Sequence, residues 1–139
     1  MTPPVVLIVD DDARNRKLAR DLLALAGIGT LEAENAADGI AAASGRRPDL
    51  VLLDLRLPDL DGTEALRQLR ADPATAALRV VALTAVSGAG EELLAAGFDG
   101  YLEKPIDALA FADRVRTLAG PPGGWPRPGS GGQHAGRRS

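Results

Sequence analysis

The chain has no cysteine and a single histidine, His134. Disulfides, thiolate catalysis, cysteine-based zinc sites and a catalytic histidine dyad are therefore excluded. Aromatic residues make up only 3% of the 139, so neither a stacking platform for single-stranded nucleic acid nor an aromatic interface is advertised. Long apolar runs are missing too: the N-terminal one, VVLIV, lasts five residues and stops at aspartates. Neither a signal peptide nor a membrane span is readable, and the cytoplasm is the expected compartment. Basic charge is also in short supply over residues 1–119, which hold 13 basic and all 19 acidic residues. A mildly acidic domain argues against nucleic acid as a partner.

What is present suits one ordinary globular core. Hydrophobic residues, mostly Ala, Leu and Val, account for 45% of the chain. Residues 1–119 are expected to form one domain. Residues 120–139, with seven Gly, four Pro, three Arg and no acid, are expected to be a disordered tail. Twenty such residues cannot bury a core, so no output module is expected there. Trp125 and the tail arginines read as solvated.

Continuous aliphatic runs at Val5–Val9 and Leu50–Leu53 predict strands buried on both faces. Thr30–Ala33 predicts a short, weaker strand, Val80–Leu83 is a further apolar run, and Gly100–Leu102 predicts a short strand. Leu18, Leu22 and Leu25 follow helical spacing from Ala13 to Ala26, and Gly27 supplies a stop. Asn35 is placed to cap a second helix ending near Gly45. Asp61 and Glu64 suggest a capping box before a helix with Leu66 and Leu69 inward, closed by Asp72-Pro73. A short helix spans Glu91–Ala96. Asp107 is expected to cap the last one, which carries Leu109, Phe111, Ala112, Val115 and Leu118. Five strands alternating with five helices imply an α/β, doubly wound parallel sheet, whose sites form beyond the strands' carboxyl ends.

Polar residues gather at those ends. Strand one runs into Asp10 and Asp11, strand three into Asp54, strand four into Thr84, and strand five ends beside Lys104-Pro105. Each has an ordinary explanation taken singly: Asp54 as a turn residue, Thr84 satisfying local backbone, Lys104 as a solvated charge. Asp12 is best read as a helix cap, with Asn15 in the first turn. Taken together on one rim, chance is a poor explanation. Asp10, Asp11 and Asp54 would repel one another unless a cation joined them. A ligand set of oxygens alone selects a hard ion such as Mg2+. A carboxylate flanked by Mg2+ and Lys104 stays ionised and can attack phosphorus, with Thr84 as a further donor.

These residues, in the stretches VDD, LLDLRLPDLDG, LTA and YLEKP, resemble the receiver domain of bacterial two-component response regulators over residues 5–119. GFDGYLEKP and NRKLARDLL look most like single-domain regulators of the DivK type. The resemblance implies a flavodoxin-like (βα)5 fold with strand order 2-1-3-4-5. It implies that Asp54 is the phosphoacceptor, with the phosphoryl group coming from a sensor histidine kinase or a histidine phosphotransfer protein. Asp10, Asp11, Asp54 and the backbone carbonyl of Arg56 would hold Mg2+. Thr84 and Lys104 would contact phosphoryl oxygens, Tyr101 would switch with Thr84, and Pro105 matches a position that is usually cis. The signal would pass to a separate protein target, and the domain would not be an enzyme in its own right.

Two departures from the family pattern stand out. The stretch from Thr84 to Lys104 is a couple of residues short, within VSGAGEE. Arg56 and Val86 occupy positions thought to govern attack by water on the phosphoaspartate, and bulky, apolar side chains there predict a long phosphorylated lifetime. Two other functions fit the sequence less well. A receiver-like module that binds partners without phosphorylation fits poorly with an intact set of Asp10, Asp11, Asp54, Thr84 and Lys104. An Asp-nucleophile phosphatase prefers a second acid two residues after the nucleophile, where this chain has Arg56.

Overall fold

The computed structural model describes residues 4–118. The segment 120–139, with Trp125 and His134, lies outside the described residues, as does the expected domain boundary at 119. Five strands and five helices alternate: β1 (Val5–Val9), α1 (Ala13–Leu25), β2 (Gly29–Ala33), α2 (Ala36–Arg46), β3 (Leu50–Asp54), α3 (Gly62–Ala71), β4 (Arg79–Thr84), α4 (Gly90–Ala96), β5 (Gly100–Glu103) and α5 (Phe111–Leu118). All pairings are parallel and the order is β2-β1-β3-β4-β5. The doubly wound fold expected from the alternation is what forms.

Alternation of side chains along each strand explains why the runs are continuously apolar. Val6, Ile8, Leu50, Leu52, Val81 and Leu83 point to one face and pack with Ala19 and Leu23 of α1 and Phe111 and Val115 of α5. Leu7, Val9, Val51, Leu53, Val80 and Ala82 point to the other, against Ala36, Ala43, Ala65, Leu66, Leu69 and Leu93 of α2, α3 and α4. Two cores thus clamp the sheet, and the strands' carboxyl ends are held in fixed register.

Two local expectations are corrected, those for the face of α1 and the start of α5. Helix α1 buries Ala19 and Leu23, while Leu18 is 38% and Leu25 86% exposed. The spacing 19-22-23-26 is as helical as 18-22-25, and the small side chain of Ala19 leaves room for close contact with the sheet. Helix α2 ends at Arg46, next to Gly45 as expected, and its C-cap Arg47 takes the left-handed conformation at φ 51°. Helix α5 starts at Phe111, later than expected. The Asp107 carboxylate accepts from the Leu109 N–H at 3.0 Å and closes a turn, leaving Leu109 96% exposed.

The caps are otherwise where they were expected. Asn35 accepts from the Asp38 N–H at 2.7 Å and Asp61 from the Glu64 N–H at 3.0 Å. Only half of the capping box forms, because the Glu64 carboxylate pairs with Arg67 and Gln68. No described helix is long and apolar enough to cross a membrane.

Candidate functional site

Strand β1 delivers Asp10 to the carboxyl rim, where its side chain is 1% exposed. Its Oδ1 accepts from the Asp12 N–H at 2.9 Å, and its Oδ2 faces the Asn15 amide at 3.3 Å and the Lys104 ammonium at 3.2 Å. The backbone is engaged as well: the Asp10 N–H donates to the Ala33 carbonyl, and the Asp10 carbonyl accepts from Arg16 at 2.7 Å. Asp10 is therefore fixed in orientation. Strand β3 delivers Asp54, 5% exposed. Its Oδ1 accepts from the Arg56 N–H at 3.0 Å and its Oδ2 from Lys104 at 2.9 Å.

Asp11 is exposed, and among the described residues no donor reaches its carboxylate. Asp10, Asp11 and Asp54 each bring a carboxylate oxygen to within 4.8 Å of the others. Asp12 stands apart: it caps α1, accepting from the Arg14 N–H at 2.8 Å. The run DDD thus divides between a carboxylate cluster and a cap.

The electrostatics of the cluster are unbalanced. Burial, joined by the charge of Asp10, pushes the Asp54 carboxyl above its ordinary range, against the pull of the Arg56 N–H and Lys104. Burial alone would lower Lys104, but its hydrogen bonds and charge contacts with Asp54 and Asp10 outweigh that and leave it raised. Asp10 and Asp54 share one ammonium, and the nearby Asp11 carboxylate has no cation on it among the described residues, so a further cation is favoured. The clustered donors are all carboxylate oxygens, and Arg56 lines the same cleft, which fits Mg2+ by its chemistry. That ion would hold Asp54 ionised, adding to Lys104.

An open cleft of about 570 Å³ lies over these groups, lined also by Thr63, Thr84, Arg56 and Val86. Thr84 is buried, and its hydroxyl accepts from the Val86 N–H at 3.0 Å. The Lys104–Pro105 bond is cis. Tyr101 of β5 packs at the margin of the α2–α4 core, with its ring over the first turn of α4. A Cβ added at Gly90 would sit 2.4 Å from the Tyr101 ring, so the first residue of α4 makes room for the tyrosine by being a glycine. Gly62 has a similar reason: an added Cβ would lie 2.7 Å from the Leu55 Cα and 2.9 Å from the Asp54 carbonyl oxygen.

All the rim residues expected from sequence meet here. Sequence reasoning missed Asn15 and Arg16 as supports of Asp10, Thr63 in the lining, and Gly90 under Tyr101. Asn15 and Arg16 could have been found, since an amide and a guanidinium in the first turn of a helix facing a strand end can reach back to it. The Gly90–Tyr101 contact has no local signal.

Comparison with known proteins agrees with this geometry. The sequence model of the response regulator receiver domain matches residues 6–116. The polar-differentiation response regulator DivK of Brucella anthropi is 33% identical over 120 residues, covering 85% of this chain and 98% of that protein. The receiver domain of sensor histidine kinase PA1611 from Pseudomonas aeruginosa PAO1, solved with a magnesium ion in its active site cleft, superposes with a TM-score of 0.75 at 28% identity, over 84% of this chain and 98% of that one. Chemotaxis response regulator CheY4 of Vibrio cholerae, at 24% identity, shares the fold with a TM-score of 0.79 over 84% and 99% of the two chains.

Proposed function

The chain belongs to the response regulator receiver domain family, and we propose that it serves as a single-domain, phosphorylation-switched regulator in a cytoplasmic two-component phosphorelay. One observation carries this reading. Asp54 is buried at the end of β3, 2.9 Å from the Lys104 ammonium and clustered with Asp10 and Asp11.

In the proposed reaction an Asp54 carboxylate oxygen attacks the phosphorus of a phosphohistidine on a sensor histidine kinase or histidine phosphotransfer protein. A P–O bond forms and the P–N bond breaks. The electron pair stays on the imidazole nitrogen, which takes up a proton. Lys104 holds a positive charge beside the acceptor, the Thr84 hydroxyl can donate to a phosphoryl oxygen, and the Arg56 N–H fixes the Asp54 carboxylate. Mg2+, held by Asp10, Asp11, Asp54 and the Arg56 carbonyl, would supply charge neutralisation at the transferring group. Thr84 and Tyr101 would carry the change to a separate protein target. Arg56 and Val86 line the cleft and would hinder in-line water, so Arg56→Asn with Val86→Glu should speed dephosphorylation.

The test is incubation with Mg2+ and a small phosphodonor, followed by mass spectrometry. An acid-stable, base-labile gain of one phosphoryl group, lost in Asp54→Asn, is expected. No adduct with any donor would favour a phosphorylation-independent binding module. Rapid donor turnover without an accumulating adduct would favour a hydrolase.

A further inference from the structure

We propose that Asp59 is a positioning residue: it clips the β3–α3 loop to the start of α2, and so holds the Arg56 carbonyl in place for the divalent cation. The inference rests on the reading of the rim as a Mg2+ site.

The loop from Leu55 to Asp61 is closed at its base by its own backbone. Arg56 and Asp61 form an isolated antiparallel bridge, and the Gly62 N–H donates to the Leu55 carbonyl at 2.9 Å. Nothing in that closure fixes the tip. Asp59 does so, with both carboxylate oxygens engaged: one accepts from the Ala36 N–H at 2.8 Å, the other from the Ala37 N–H at 2.9 Å. Two acceptors on two successive donors define an orientation as well as a distance.

The anchor is rigid. Ala36 is fully buried, as is Ala43 two turns on, so the start of α2 is held against the core. The first amides of α2 are all taken, Asp38 by the Asn35 side chain and Ala36 and Ala37 by the loop. These two N–H groups also draw the Asp59 carboxyl below its usual range, which keeps it charged at neutral pH. Asp59 lies three residues beyond Arg56, whose N–H already orients Asp54. The loop is thus tied at Arg56, near its base, and at Asp59, at its tip, and the Arg56 carbonyl lies between the two ties.

A purely structural role would make Asp59 only a second cap for α2. Asn35→Ala separates the two, because it uncaps the same helix without touching the loop. The full chain is titrated with MgCl2 by calorimetry, and amide hydrogen exchange over residues 55–62 is followed in metal-free buffer. Asp59→Ala should weaken Mg2+ binding about tenfold and speed loop exchange. Asn35→Ala should leave the Mg2+ Kd within about twofold of wild type and loop exchange unchanged. Asp59→Asn, neutral but with one acceptor left, should fall between wild type and Asp59→Ala in both measurements. Equal weakening by Asn35→Ala would overturn the clip. So would loop exchange at the wild-type rate in Asp59→Ala, which would reduce any loss of Mg2+ to a charge effect. Failure of the underlying reading is distinguishable, since it shows in the wild-type chain, as absent Mg2+ binding or absent phosphorylation, and not in the variants.

Discussion

The two ends of the sheet both carry carboxylates, and they use them differently. At the amino end Asp99 accepts from the Val80 N–H at 2.8 Å and from Arg70 at 2.9 Å. Arg70 also donates to the carbonyls of Ala76, Leu78 and Gly97, and Asp49 accepts from the Val5 N–H at 2.8 Å. The Asp49 and Asp99 carboxylates there are both satisfied, and the result joins α3, β4 and the turn after α4. At the carboxyl end Asp10, Asp11 and Asp54 cluster, with Lys104 the ammonium that pairs with Asp10 and Asp54. Polarity does not separate a working site from a structural staple. An unmet demand for positive charge does.

Substitutions that remove a charge at the two ends should accordingly differ in sign. Arg70→Ala should have the largest effect. It strips hydrogen bonds from three carbonyls and leaves Asp99 without its cation, at a cost of about 3 kcal/mol or roughly 10 °C in Tm. The Mg2+ Kd should not change. Gly62→Ala tests the rim's backbone. The added Cβ meets backbone atoms of Asp54 and Leu55, so about 2 kcal/mol of stability should go, and Mg2+ affinity should fall with it. Asp54→Asn should do the opposite to stability. Removing one of three clustered acids should raise Tm in metal-free buffer by about 1 kcal/mol equivalent, and abolish the stabilisation that Mg2+ gives the wild type. Thermal melts with and without MgCl2 read all three. If Asp54→Asn destabilised the metal-free protein as Arg70→Ala does, the contrast between the ends would collapse.

What was legible in sequence followed from local pattern. VVLIV and LVLL are buried on both faces, and the residues directly after strands, Asp10 and Asp54, need only a strand end to be placed. The order of Asp10, Asp54, Thr84 and Lys104 then located the rim, because a parallel sheet brings its carboxyl ends together. Which face of α1 turns inward was not legible, since two sets of positions share the helical period and packing against the sheet chose Ala19 and Leu23. Contacts between distant segments were silent too. Arg70 reaches Asp99 across 29 residues and Asp59 reaches Ala36 across 23, and neither pair leaves a mark in its own neighbourhood. Gly62 and Gly90 read as loop residues until the atoms against them were seen.

The smallest effect concerns an acid on the rim's side that is nevertheless satisfied, and it sharpens the contrast from within. Asp59 resembles Asp99 more than Asp54, because both of its oxygens accept backbone N–H groups. Those bonds hold its carboxyl below the usual range in the folded chain, whereas an unfolded Asp titrates near about 3.9. Between the two values the unfolded chain binds more protons, so stability rises with pH there. The contribution is complete above the unfolded value and is lost as pH falls through the folded one. Asp59→Asn lacks this titration. Its Tm should lie about 3 °C below wild type from pH 7 to about pH 5, and the gap should close as the pH falls through the lowered value. A gap that persisted unchanged in strong acid would mean that Asp59 is held by its shape and not its charge. It would then no longer belong with the charge-satisfied carboxylates of the amino end.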